Sequence, residues 1–216
     1  MDQDILWDKL QGLMASTYKR IESDKPDRLQ PQKFASNMIF VSLCELYFSY
    51  PKIVSSTIRA SVLRSVVELY ADTYAIFRSK DVDNSAQKYI SSADTAFKRI
   101  AQRLPKLISA TKTGNKKPSR PFRDLGRWND VGITQRVFDT DNGRAVIHVY
   151  DYLCYFTHLS PARHILKQAI DDKTLRGWMM FYTWATIRKS LYNGLYTDEE
   201  IKHYNDLEVY FDTQAQ

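Results

Sequence analysis

Two charged residues stand in an otherwise apolar part of the sequence. Arg64 and Glu68 are four residues apart, so on a helix they share one face. The residues around them, from Val62 to Leu69, are mostly aliphatic. Because an unpaired buried charge is costly, these two residues either form a structural ion pair, lie in solvent, or line a polar pocket between helices. The polar pocket is the functional hypothesis.

A second group of reactive side chains follows a later helical pattern. His148, Asp151, Tyr155 and His158 are separated by 3, 4 and 3 residues, so they fall near one face of a helix. Imidazole titrates near neutral pH and a carboxylate can fix its tautomer, so this face has the groups that proton transfer needs. A solvated polar stripe is the simpler interpretation. His158 is the best single candidate, because it lies at the predicted helix end, where an imidazole can meet a ligand.

Positive charge is concentrated in one segment. The chain has 31 Lys and Arg against 25 Asp and Glu, a net charge of +6, and ten basic residues against one acid lie between Lys98 and Arg127. Gly and Pro within residues 111–132 predict a long loop there. Basic side chains mixed with aromatic ones can hold phosphates and stack a base. The candidate nucleic-acid-binding residues of this loop, for RNA or DNA, are Lys112, Lys116, Lys117, Arg120, Arg123 and Arg127.

Two other interpretations of the basic loop stay open. The loop can be flexible and solvated, or it can dock on an acidic C-terminal helix that we predict over residues 197–214. From Asp198 to Asp212 that helix has six acids and one lysine. Charge complementarity between the two segments therefore competes with nucleic-acid binding.

Length and composition are those of an ordinary globular protein. The 216 residues are 44% hydrophobic and 26% charged, which predicts one domain over residues 1–216 with a sizeable core. The sequence lacks a long apolar run and a signal peptide, so we expect a cytoplasmic protein without membrane contact. Cys44 and Cys154 show no metal-ligand spacing, and the common enzyme and cofactor signatures are absent. We expect no metal and no cofactor.

Apolar residues recur at steps of three and four along most of the chain. This period predicts an all-α fold, a single helical bundle of about six to seven helices with one long basic loop. The first helix should end before Pro26, the second should run from Pro31 to Pro51, and a long central helix should start at Pro51. A fourth helix is predicted over residues 84–110 and a short one over 134–138.

The later helices have clear start signals. One is predicted after Asp141, with a core stripe at Ala145, Val149, Tyr152, Leu153 and Phe156. Another should run over residues 174–192, and the acidic helix should begin with a capping box formed by the residues at 197 and 200.

Aromatic residues crowd the predicted helix over residues 174–192 and its end. They are Trp178, Phe181, Tyr182, Trp184, Tyr192 and Tyr196. Core packing accounts for one aromatic face of this helix. A second aromatic face suggests a partner helix, so we expect a homodimer or a protein partner.

The segment from Ile58 to Tyr70, with Arg64 and Glu68, and the later Tyr152-Leu-Cys-Tyr155-Phe-Thr-His158 resemble a bacterial family of unknown function. That family has Arg-x-x-x-Glu on a long helix and a Tyr/His motif at the end of a later helix. It is similar in turn to the HEPN superfamily, whose all-helical domains include RNases of toxin–antitoxin and defence systems as well as inactive binding modules. The resemblance covers roughly residues 35–165.

The resemblance implies that Arg64, Glu68, Tyr155 and His158 converge between helices and that the ligand is a nucleic acid or a nucleotide. One feature departs from the HEPN pattern. HEPN RNases have Arg-x(4–6)-His on one helix, whereas the nearest pair in this chain, Arg144 and His148, has three residues between its members. The sequence therefore predicts either an RNA-binding or RNA-cleaving protein whose catalytic groups come from different helices, or a non-catalytic helical interaction module.

Overall fold

A computed structural model describes residues 2–24, 28–94, 131–157 and 171–212 of the chain. Within these ranges every regular element is a helix and no β-strand occurs. The predicted all-α class and the packed helical bundle are confirmed. The predicted basic loop over residues 111–132 lies almost wholly outside the described residues.

The first two helices match their sequence signals. Helix α1 spans Gln3–Ser23, and the Asp2 side chain accepts a hydrogen bond from the Asp4 amide at its start. Helix α2 spans Pro31–Ser49, with the proline in its first turn, where the missing N–H costs nothing.

The central helix begins later than predicted. Tyr50–Lys52 forms a short 3₁₀ turn, and helix α3 spans Ser56–Phe77. The prediction of a start at Pro51 is wrong because the chain at Ile53 is extended, with φ −86° and ψ 119°. Helix α4 is described over residues 82–94; the rest of the predicted fourth helix lies outside the described residues.

A tight turn joins the next two helices. Helix α5 spans Ile133–Phe138 and helix α6 spans Gly143–Thr157. Asn142 has φ 58°, and a β-carbon at Gly143 would lie 1.7 Å from the carbonyl oxygen of Phe138, so only glycine fits there.

The inward face of α6 differs from the predicted stripe. Val146, Tyr150 and Leu153 are its buried residues. Of the predicted core positions whose burial the structure describes, Leu153 is buried, Val149 and Tyr152 are partly buried, and Ala145 is exposed. The prediction is wrong by about one position because both faces of α6 carry apolar residues, and periodicity alone does not say which face meets α3.

Three helices close the described chain. Helix α7 spans Asp172–Lys189, helix α8 spans Asp198–Asn205 and helix α9 spans Glu208–Asp212. The capping box at the start of α8 is confirmed. The predicted single acidic helix over 197–214 is instead two short helices separated by a turn at residues 206–207.

Helix α3 is the centre of the bundle and packs on both α6 and α7. Its inward residues Leu63, Val66 and Val67 are fully buried. Helix α6 runs antiparallel to α3, since Arg64 contacts Thr157 and Glu68 contacts Tyr150, and α7 runs parallel to α3. Helices α6 and α7 contact each other through Tyr152 and Trp178, whose rings pack edge-on. The seam between α3 and α6 is therefore one place where side chains from different helices can form a site.

The C-terminal helices are held against the bundle. Arg20 of α1 binds Glu200 through two hydrogen bonds of 2.9 and 2.7 Å, and Arg188 of α7 pairs with Glu208. Trp184 stacks on Phe211 with 4.7 Å between ring centroids. One aromatic side of α7 is thus covered by the chain's own C-terminal segment.

None of the helices in the described part of the chain is both long and apolar enough to cross a bilayer.

Candidate functional site

The predicted charged pair exists and is partly buried. The Nε of Arg64 donates to Oε1 of Glu68 at 3.0 Å, and the two side chains are each 32% exposed. Both residues lie on the side of α3 that faces α6. The pair therefore lies at the seam between α3 and α6, and its exposure is intermediate between that of a buried ion pair and that of two solvated side chains.

Helix α6 completes the cluster with two hydroxyl groups. The hydroxyl of Tyr150 donates to Oε1 of Glu68 at 3.0 Å, and Nη1 of Arg64 donates to Oγ1 of Thr157 at 3.1 Å. Because α6 runs antiparallel to α3, Thr157 contacts Arg64 and Tyr150 contacts Glu68. We call Arg64, Glu68, Tyr150 and Thr157 the polar cluster.

The environment sets the charge states of the cluster. Burial acts to lower the pKa of Arg64, but the neighbouring Glu68 carboxylate outweighs it, and the pKa is raised. Burial, with the Glu68 charge adding to it, raises the pKa of Tyr150 far above its usual range. Burial likewise raises the pKa of the Cys154 thiol beside them, which keeps it protonated and a poor nucleophile.

The cluster keeps unused hydrogen-bonding capacity. A guanidinium has five N–H donors, and Arg64 uses Nε and Nη1 for one bond each; its other N–H groups have no partner among the described residues. Oε2 of Glu68 is also without a hydrogen bond within these ranges. A partly exposed guanidinium held in place on one edge can present its other edge to a phosphate or carboxylate.

The other predicted catalytic residues are placed differently. Tyr155 is 58% exposed and forms no hydrogen bond with Arg64 or Glu68. His158 lies outside the described residues, directly after Thr157 in the sequence. His148 and Asp151 are exposed, as expected for a solvated polar stripe. The structure thus brings two of the four predicted residues together.

The predicted nucleic-acid-binding residues, from Lys112 to Arg127, also lie outside the described residues. Their proposed competitor, the acidic C-terminal segment, is partly engaged elsewhere, since Glu200 binds Arg20 and Glu208 binds Arg188. The exposed acids of this segment include Asp198 and Glu199 at the start of α8.

Sequence reasoning missed Tyr150 and Thr157. They are seven residues apart, so they share the face of α6 on which Leu153 is buried. Polar groups on a buried helix face need hydrogen-bond partners. Assigning the face of α6 that carries Leu153 to the core would therefore have marked Tyr150 and Thr157 as residues that bond to a neighbouring helix.

A second polar group joins the ends of three helices. The Tyr74 hydroxyl donates to Oδ1 of Asp141 at 2.8 Å, Arg78 donates to that hydroxyl, and Lys189 pairs with Asp141. The Lys189 ammonium also lies 4.9 Å from the Tyr74 ring centroid. Every charge in this group has a partner within it, so we assign it a structural role.

In the part of the chain that the structure describes, no three His, Cys, Asp or Glu side chains are arranged to hold a metal ion.

Comparison with models of known protein families, with curated proteins and with solved structures finds no match to this chain. The polar cluster and its surroundings therefore carry the functional conclusion.

Proposed function

We propose that this chain is a HEPN-like helical protein of a bacterial stress or defence system that binds RNA and cleaves it without a metal ion. The observation that carries the proposal is the polar cluster, which holds Arg64 at a helix seam with N–H groups that bond to no other described residue. Its member Thr157 is the sequence neighbour of His158. A fixed cation and an imidazole are the groups that metal-independent RNA cleavage requires.

In the proposed reaction, His158 takes the proton of a ribose 2′-hydroxyl, and the 2′-oxygen attacks the adjacent phosphorus. Arg64 stabilises the negative charge that develops on the phosphorane oxygens. The bond from phosphorus to the 5′-oxygen breaks, and the protonated His158 returns a proton to that oxygen. The products are a 2′,3′-cyclic phosphate and a free 5′-hydroxyl.

The remaining residues have supporting roles in this proposal. Glu68, Tyr150 and Thr157 orient the guanidinium of Arg64 through the hydrogen bonds of the cluster. Tyr155, with its exposed ring, stacks on a base of the bound RNA. RNA phosphates bind the basic residues of the loop, namely Lys112, Lys116, Lys117, Arg120, Arg123 and Arg127.

The proposed reaction predicts that the protein cuts RNA without a metal ion. We expect purified protein to cut tRNA or total RNA in the presence of EDTA, leaving 2′,3′-cyclic phosphate ends that end-specific labelling detects. His158→Ala should abolish cleavage, and Arg64→Ala should slow it about 100-fold, the loss typical for removal of one group that stabilises developing charge.

His148→Ala is the matched control, because His148 is an exposed histidine of α6. It should cut RNA at the wild-type rate. An intact RNA profile with the wild-type protein, or cleavage that is unchanged by His158→Ala, would refute the catalytic proposal.

A second candidate function is a non-catalytic interaction module that self-associates. Two observations favour it: the polar cluster ties α3 to α6 and so has a structural use, and Trp178 and Phe181 on α7 are only partly buried. Trp184 is unsuitable for testing this surface, since it is 3% exposed and donates a hydrogen bond to the Tyr204 carbonyl.

This candidate predicts a dimer that light scattering detects and that Trp178→Ala converts to monomers. His158→Ala should leave the dimer intact. A monomeric wild-type protein would exclude self-association through this surface.

A further inference from the structure

An open recess lies where the C-terminal end of α3, the start of α4 and helix α5 meet. Its volume is about 490 Å³. Small-molecule pockets have volumes of about 300–1,000 Å³, so the recess has room for a metabolite. We call it the α3–α5 recess. It is lined by side chains from or next to all three helices, among them Arg78, Ser85 and Asp139, and it shares no residue with the polar cluster.

Arg78 brings a positive charge to the recess. Its Nη1 donates to the Tyr74 hydroxyl, and its Cζ lies 5.2 Å from the centroid of the Tyr74 ring. Arg78 forms no salt bridge with another described residue, and the nearby carboxylate of Asp141 is already bound by Lys189 and Tyr74. A neutral hydroxyl thus holds the guanidinium in place, and its other N–H groups remain available to a ligand.

Asp139 brings the opposite charge to the same recess. Its Oδ1 accepts a hydrogen bond of 2.8 Å from Nε2 of Gln135. Within the described ranges Asp139 forms no salt bridge, and its Oδ2 accepts no hydrogen bond. Here too a neutral side chain holds a charged group in place and leaves part of it available to a ligand.

The charge balance of the recess rests on these two residues. Of the other described residues that line it, only Arg136 is charged, and Arg136 is paired with Asp72 at 2.9 Å. Arg78 and Asp139 are therefore the two lining charges that lack a counter-ion in the described part of the chain. They are both exposed and form no ion pair with each other, so a ligand from solvent can lie between them.

A hydroxyl group and apolar surface complete the lining. Ser85, in the first turn of α4, is partly buried, and its hydroxyl forms no hydrogen bond with a described residue. Ala75, Val131 and the ring of Tyr74 supply the apolar surface. The recess thus combines a cation, an anion, a hydroxyl and an apolar wall.

We infer that the α3–α5 recess binds a free α-amino acid with an apolar side chain. The α-carboxylate of the ligand accepts hydrogen bonds from the free N–H groups of Arg78. Its α-ammonium group donates to Asp139 and to the Ser85 hydroxyl, and its side chain packs on Ala75 and Val131. Because Arg78 and Asp139 are already held in position, binding orders few additional side chains and so costs little entropy.

Ligands with charge of one sign fit the recess less well. A phosphate monoester carries close to two negative charges at pH 7 and would bring them next to Asp139. A simple amine or a simple carboxylate would leave one of the two protein charges without a partner. A zwitterion matches both charges. Amino-acid binding at this place does not depend on RNA cleavage, since the recess and the polar cluster have no residue in common.

Isothermal titration calorimetry of the full-length protein with L-leucine, L-methionine and L-phenylalanine tests the inference. We expect at least one of them to bind with a Kd of about 1 mM or lower. The amide of that amino acid lacks the carboxylate and its N-acetyl derivative lacks the ammonium group, so each should bind about tenfold more weakly. Inorganic phosphate and adenosine monophosphate should not bind in its place. These titrations need only the wild-type protein.

Two variants assign each ligand group to its residue. Arg78→Gln should weaken binding of the amino acid about tenfold and should bind the amide as the wild type does, because the amide has no carboxylate to lose. Asp139→Asn should show the same pattern with the N-acetyl derivative. Arg144→Gln and Asp206→Asn are the matched controls, since both residues are exposed and neither lines the recess. Both controls should bind the amino acid as the wild type does.

Circular dichroism should show the same melting temperature for all four variants, so that a loss of binding reports on the recess and not on the fold. No binding of any of the three amino acids would overturn the inference, and so would equal binding by the wild type, Arg78→Gln and Asp139→Asn. Binding of phosphate or adenosine monophosphate in place of an amino acid would also overturn it, because the recess would then be a site for anions.

Discussion

Two arginine–carboxylate pairs of this protein have similar geometry and very different surroundings. Arg64 and Glu68 are each 32% exposed, whereas Arg136 and Asp72 are 10% and 15% exposed with an Nε–Oδ1 distance of 2.9 Å. Water screens the first pair and hardly reaches the second. The first pair is therefore accessible to a ligand from solvent, while the second fixes α5 on α3.

This contrast predicts the stability of two single variants. Asp72→Asn removes the carboxylate that pairs with the buried Arg136 guanidinium, and we expect a loss of about 3 kcal/mol in the free energy of unfolding. Glu68→Gln keeps an acceptor for Tyr150 in a more exposed place and should cost less than about 1 kcal/mol. Urea denaturation at pH 7 measures both values.

Equal losses for the two variants would contradict the assignment of Arg64 and Glu68 to a site and of Arg136 and Asp72 to the framework. Glu68→Gln also separates stability from the proposed function, because it should reduce the proposed RNA cleavage while the fold remains intact.

The turn between α2 and α3 sets where α3 begins and in which direction it runs. Tyr50 is buried against Trp7, with 5.9 Å between ring centroids, and this holds residues 50–52 in a 3₁₀ turn. The chain then runs extended before α3 starts at Ser56. Arg59, in the first turn of α3, donates to the Ile53 carbonyl at 2.6 Å and so fixes the direction in which α3 leaves.

Helices α8 and α3 differ in whether a side chain caps their first turn, and this difference gives a matched pair of variants. The Thr197 side chain accepts from the Glu200 amide and Glu200 accepts from the Thr197 amide, whereas Ser55 at the start of α3 makes no side-chain cap. Thr197→Ala should cost about 1 kcal/mol, which lowers the melting temperature by about 2–4 °C in a protein of this size. Ser55→Ala should change it little.

Differential scanning calorimetry measures both melting temperatures. Because Glu200 also binds Arg20, loss of the cap should loosen the contact between α8 and α1. A Thr197→Ala protein as stable as the wild type would mean that this contact alone holds α8.

For the whole molecule, charge pairs join segments far apart in the sequence. Asp141 binds Lys189 and Tyr74, and Glu200 binds Arg20, so α1, α3, α7 and α8 are connected through two carboxylates. Burial alone would raise the pKa of each carboxyl group. The hydrogen bonds from Lys189 and Tyr74 to Asp141, and from Arg20 to Glu200, outweigh it and lower both pKa values.

These shifts predict the acid limit of stability. A carboxyl group with a lowered pKa in the folded state contributes stability above its unfolded value, here 3.8 for Asp141 and 4.5 for Glu200, and that contribution is lost as the pH falls below it. Asp141→Asn should flatten the fall of the unfolding free energy with pH below about 3.8. Asp206→Asn, at an exposed acid outside these contacts, should leave the slope unchanged. Urea denaturation between pH 3 and 7 measures the slopes, and equal slopes for Asp141→Asn and the wild type would contradict the assignment.

Local sequence determined the helical class, the ends of α1 and α2, the capping box of α8 and the pairing of Arg64 with Glu68. These features depend on residues within a few positions of one another, so period, proline and cap chemistry suffice to predict them. Only the tertiary structure decided which face of α6 meets α3, and with it the roles of Tyr150 and Thr157 in the cluster. It also divided the acidic helix in two and formed the recess where α3, α4 and α5 meet. These outcomes depend on how helices distant in sequence pack on α3, and an apolar stripe on both sides of α6 leaves that choice open.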